Sequence, residues 1–296
     1  MLIPVLSPPL PGAKQALRSK RRMSGTRHMQ RNEVIMKYEK IMVYLLASYG
    51  FSWMVWLPFL INHRWNERIP TFQSQFYLAS FGPLIGAVLA SLASGGWKEL
   101  KDWFRRTYSL RFPMRWLIMA VLMPVLYAAA AIVIQRFITG EWTEWSRFGL
   151  TGSLPGLNIM QTALVWIVTF GLGEESGWRG FLLPELSKRF SLRVSALIVA
   201  VIWMLWHLPA FLFHETYMNM GPGVIGWAVS LCFGSILLAW LCKKSRFSVL
   251  PALVWHGGFN LITAGDTSAE MVAAICSVLV IVQGAVLIGR LGRNRA

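Results

Sequence analysis

Three short stretches set ionisable or hydrogen-bonding side chains inside otherwise apolar sequence: G-E-E-S-G-W-R at 173–179, W-M-L-W-H at 203–207 and W-H-G-G-F-N at 255–260. On a helix, residues four apart share a face. Glu175 can therefore pair with Arg179, Trp203 can pack beside His207 and orient its imidazole, and His256 and Asn260 present two hydrogen-bonding groups together. Glu174 is turned about 100° from Glu175 and need not share that arginine. One carboxylate can then be neutralised while the other faces a cavity. Gly173, Gly177, Gly257 and Gly258 leave room for close backbone approach. Peptide-bond hydrolysis needs a base to take a proton from water and donors for the oxyanion that develops. Glu174 with His207 suits the first task, and His256 with Asn260 the second. Ser176 adjoins the carboxylates, but G-x-S-x-G is absent and no Asp stands to orient a His for it, so activated water is the expected nucleophile.

The elements that carry these groups must be membrane helices. Of 296 residues 55% are apolar and 14% charged, against about 25% charged in a soluble domain, and the mean hydropathy is +0.49. A soluble globular enzyme, a disordered chain and a secreted disulfide scaffold are excluded. Eight apolar segments, near 41–61, 76–94, 116–138, 158–183, 194–213, 224–242, 249–264 and 271–289, approach the ~20 residues a spanning helix requires. The three polar motifs fall in the fourth, fifth and seventh. Ionisable groups there cost on the order of 2.5–3.5 kcal/mol each and mark function.

Basic residues decide the orientation. Twenty-four of the 29 Lys and Arg lie in the N-terminal tail, in alternate loops and at the C-terminus, and three (Arg64, Arg68, Arg147) lie in the other loops. By the positive-inside rule both termini are cytoplasmic. The net charge of +16 is thus spread over five segments, which argues against a nucleic-acid partner. The expected architecture is an all-α, polytopic integral membrane bundle of about eight transmembrane helices. Residues 1–40 read as a disordered basic tail drawn to anionic lipid, 41–290 as the helical domain with its core at about 158–264, and 291–296 as a short basic tail. Residues 97–112 read as an amphipathic helix in the interface, and Trp142 and Trp145 as part of an aromatic belt. His214 reads as a hydrogen-bonding packing residue at the outer interface. Cys232, Cys242 and Cys276 show no metal or disulfide spacing and read as reduced packing residues.

In order, E-E-x-x-x-R, an aromatic followed by x-x-x-H, and H-x-x-x-N resemble the CPBP family (CAAX proteases and bacteriocin-processing enzymes) over roughly 76–290 and most specifically 160–262. The resemblance implies an intramembrane endopeptidase. It assigns water activation to Glu174 and His207, the oxyanion site to His256 and Asn260, and support to Glu175 and Arg179. Motif two usually opens on Phe; here it opens on Trp203. The family has been described both as metalloproteases and as glutamate-dependent enzymes. The favoured expectation is no cofactor; the alternative is zinc on Glu174, His207 and His256. The expected substrate is a membrane-anchored, possibly lipidated, peptide or protein, and the expected location a prokaryotic plasma membrane. Two other classes use buried ionisable groups: a transporter with a Glu–His proton relay, and a non-catalytic membrane scaffold.

Overall fold

A computed structural model describes residues 39–66, 68–72, 74–143, 149–151, 154–265 and 270–291, and every regular element among them is helical. The principal helices are α1 (Glu39–Trp65), α2 (Gln75–Thr107), α3 (Arg115–Thr139), α4 (159–187), α5 (Leu192–Trp206), α6 (Gly223–Lys244), α7 (Leu250–Thr263) and α8 (Glu270–Leu291). The all-helical membrane architecture expected from composition is borne out. Among the described residues six helices are long and apolar enough to cross a membrane: α1, α2, α3, α6, α8, and α5 with the turn that continues it to Leu212.

The two that fall short, α4 and α7, carry motifs one and three. With 14 residues, α7 is about 21 Å long at 1.5 Å per residue, less than the ~30 Å of a hydrocarbon core. Neither faces lipid along its motif. α7 packs between α3 and α4, and residues 173–183 of α4 are buried without interruption. By contrast α3 exposes Val121, Leu122, Val125 and Leu126.

Local chemistry sets the helix ends. α4 opens on a capping box in which Asn158 and Gln161 bond each other's backbone N–H, and Ser191 caps α5 by accepting from the Val194 N–H. α2 breaks at Gly95 and Gly96, where Gly96 takes φ +60°, a conformation that favours glycine. The break splits α2 into a spanning arm and a second arm, 97–107. α4 is not a plain α-helix. It is π-helical over Ile167–Glu174 and Trp178–Leu182, a widening found frequently at functional sites.

Glycines hold α4 tightly to its neighbours. A Cβ on Gly173 would stand 2.5 Å from the Ser80 carbonyl oxygen, and one on Gly177 2.4 Å from Pro83 Cβ, both on α2. One on Gly257 of α7 would stand 2.7 Å from Ile167 Cα. Gly258 is looser, with Pro124 Cγ at 3.3 Å. At the far end of α4, Lys40 of α1 bridges Glu99 of α2 (2.6 Å) and Glu185 (3.1 Å).

One expectation changes. The His214 Nδ1 finds no hydrogen-bond partner among the described residues; its ring packs against that of Phe76, tilted by 37° with centroids 4.4 Å apart. Burial holds its imidazole below the usual histidine range, against the pull of Glu215. Trp142 is 60% exposed with Arg136 5.7 Å from its ring, as a belt residue would be, whereas Trp145, residues 1–38 and residues 292–296 lie outside the described residues. All three cysteines are free, and Cys242 and Cys276 are buried.

Candidate active site

Glu174 lies where the first π-helical stretch of α4 ends. Its Oε2 accepts from two indoles: Trp203 Nε1 of α5 at 2.6 Å and Trp178 Nε1, one turn along α4, at 3.3 Å. The side chain is 2% exposed. Both donors converge on one oxygen, which leaves Oε1 with its lone pairs free for a further partner.

Glu175 joins motif one to motif three. Its Oε1 accepts from Arg179 Nη1 at 2.8 Å and from His256 Nδ1 at 2.9 Å. All three side chains are buried, so the arginine and the carboxylate neutralise each other away from water. The expected Glu175–Arg179 pair is therefore present, and His256 extends it across to α7. Among the described residues Glu175 Oε2 and Arg179 Nη2 have no hydrogen-bond partner.

Trp203 sits at the centre of these contacts. The Arg179 guanidinium lies 4.5 Å from its ring centroid, a cation–π geometry, and His256 meets the ring edge-on at 5.3 Å. Its backbone carbonyl accepts from His207 Nδ1 at 2.8 Å. That bond fixes the histidine tautomer, with N–H on Nδ1 and the lone pair on Nε2. The spacing of Trp203 and His207 suggested that the indole packs against the imidazole. In the structure the two centroids stand 6.0 Å apart, and the indole is committed to Glu174 instead. Trp206, Trp227 and Tyr217 form the walls around His207, at 4.8, 5.4 and 5.8 Å.

Motifs one, two and three thus meet in one buried cluster. Hydrogen bonds join Glu174, Trp203 and His207 in one set and Glu175, Arg179 and His256 in a second, and the Trp203 ring, against Arg179 and His256, brings the two sets together. Asn260 follows one turn after His256 on α7, is half-buried, and its amide makes no hydrogen bond among the described residues. Ser176 spends its hydroxyl on the Leu172 carbonyl and shares a 2.6 Å bond with the Tyr108 hydroxyl, as befits a structural residue. Trp178 was missed by sequence reasoning, although its i, i+4 spacing from Glu174 was a readable signal. Tyr217 and Trp227 carried none, because they reach His207 from other elements. Among the described residues no three His, Cys, Asp or Glu side chains are grouped to hold a metal ion.

Comparison with known proteins bears on the class of protein. Residues 155–262, which contain all three motifs, match the family described as Type II CAAX prenyl endopeptidase Rce1-like. A curated relative, CAAX prenyl protease 2 of Methanococcus maripaludis, is 22% identical over 232 residues, which span 74% of this chain and 82% of that protein. Both matches are to CAAX prenyl proteases, the class of membrane protease that the three motifs resemble.

Proposed function

We propose that the protein is an intramembrane endopeptidase that hydrolyses a peptide bond with water activated by Glu174 and His207. The observation that carries this reading is the convergence of three motif-bearing helices on a pair of adjacent buried carboxylates, Trp203 bonding Glu174 and His256 bonding Glu175, with Glu174 Oε1 left free. Glu174 takes a proton from the water, and the Nε2 lone pair of His207 accepts the water's other O–H, which aims the oxygen at the scissile carbonyl carbon. The tetrahedral oxyanion accepts from the Asn260 amide and from His256. Because His256 already donates its Nδ1–H to Glu175, donating from Nε2 as well requires the imidazolium form. Two carboxylates against one guanidinium leave a matching negative charge for it. Glu174 then returns its proton to the leaving nitrogen as the C–N bond breaks.

No step in this scheme is routed through a metal. Among the described residues no three His, Cys, Asp or Glu side chains are grouped to hold a metal ion, although Glu174 Oε1 and the Nε2 atoms of His207 and His256 are not committed to other side chains. The substrate class is a membrane-anchored chain, lipidated if the name of the M. maripaludis relative carries over. Family grouping and an intact Glu–His–His–Asn set favour catalysis over transport or scaffolding.

Membrane peptidomes of cells carrying the wild-type protein and Glu174→Ala test this reading. Loss of a defined set of cleavages is expected; unchanged peptidomes under conditions where the protein has a phenotype would sink it. Purified protein should keep its activity in a strong chelator, and loss restored by zinc would reverse the metal-free assignment.

A further inference from the structure

One end of the bundle carries basic side chains that no acidic residue answers. There the second arm of α2 turns back after Gly96. It buries Trp103 and Thr107 against the protein and leaves Trp97 71% and Phe104 57% exposed. Lys98 pairs with Asp102 at 3.1 Å. Among the described residues Lys101, Arg105, Arg106, Arg111 and Arg246 have no acidic partner. Nearby, Arg115 and Lys244 converge on the Trp116 ring, at 5.1 and 5.7 Å. Exposed indole and phenyl rings interleaved with cations suit the boundary between headgroups and acyl chains. The uncompensated positive charge selects acidic headgroups there, at about fivefold in affinity per Lys or Arg.

The opposite face of the same arm is tied to the motif-one helix. Glu99 shares Lys40 with Glu185 of α4. The Thr107 hydroxyl donates to the Gly180 carbonyl at 3.3 Å. Tyr108, the next residue, bonds Ser176, two positions from Glu174. Any force that seats the arm on the bilayer therefore acts on α4 at three points.

We propose that this surface docks anionic phospholipid headgroups, and that the docked lipid holds α4, and with it Glu174, in its working register. The second half rests on the proteolytic reading above; the first does not. Purified protein in phosphatidylcholine nanodiscs containing phosphatidylglycerol is the test, with lipid retained on the protein read by native mass spectrometry. Phosphatidylglycerol is expected to be enriched on the wild type and to fall at least tenfold in K101Q/R105Q/R106Q, with a smaller loss in R111Q/R246Q. R64Q/R68Q, at the other end, should retain the wild-type enrichment. Equal retention in all four proteins would overturn the docking surface. Peptide hydrolysis should be faster with phosphatidylglycerol than without it, and the triple variant should lose that stimulation. Enrichment without stimulation of an active enzyme would overturn the coupling. Enrichment on a protein that hydrolyses nothing would leave docking intact and defeat the proteolytic reading instead.

Discussion

Glu174 is held by aromatic N–H groups, not by a cation. The nearest guanidinium, Arg179, is spent on Glu175, and the two indoles on Oε2 supply directed donors without adding charge. Motif two of the resembled family usually opens on Phe, which has no donor, so Trp203 does something here that a plain aromatic spacer does not. Trp203→Phe keeps most of the ring stacking on Arg179 and His256 but removes the 2.6 Å bond. A hydrogen bond to a charged group contributes roughly 1.5–3 kcal/mol. We expect kcat on a cleaved peptide to fall roughly tenfold or more with KM near wild type, because the base is displaced while the substrate-binding surface is kept. Trp178→Phe, which loses the longer 3.3 Å bond, should cost less. Steady-state kinetics of the two variants side by side check both; equal wild-type kcat values would remove the indoles from the mechanism.

At the scale of the element, α4 works because glycine lets it approach α2 and α7 more closely than any other residue allows. Its π-helical turns widen the backbone around Glu174, and no apolar periodicity in the sequence signals them. Gly173→Ala would drive a methyl group to 2.5 Å from the Ser80 carbonyl oxygen, and Gly177→Ala to 2.4 Å from Pro83. These neighbours are backbone or ring atoms that cannot swing away, so overpacking of about 1–3 kcal/mol is expected. Gly226→Ala on α6 meets nothing within 4 Å and should hold or slightly raise stability, since alanine favours a helix interior. Thermal unfolding in detergent separates the three, and indistinguishable midpoints would contradict the close packing.

For the whole molecule, charge scarcity and charge placement do different work. Scarcity makes the chain a membrane bundle, and placement sets its orientation. The excess of Lys and Arg at one end predicts cytoplasmic termini. A green fluorescent protein fused after the last residue should fluoresce, and alkaline phosphatase at the same junction should be inactive. Active phosphatase there would invert the topology and put the proposed lipid surface in the other leaflet.

The sequence alone determined the membrane class, the helical segments and the identity of the polar residues buried within them, because hydropathy and ionisable exceptions are local properties. It also foretold the Glu175–Arg179 pair, whose members lie one turn apart on a single helix. Only the tertiary structure decided that Trp203 reaches Glu174 while leaving His207 to its carbonyl, that His256 answers Glu175, and that the motif stretch of α4 is enclosed by its neighbours while Ile159, Met160 and Leu164 on the same helix stay exposed. Those facts depend on how separate helices cross and where glycine lets their backbones touch. Distances between residues 29 or 81 positions apart in the chain are fixed by packing, and spacing along one helix carries no information about them.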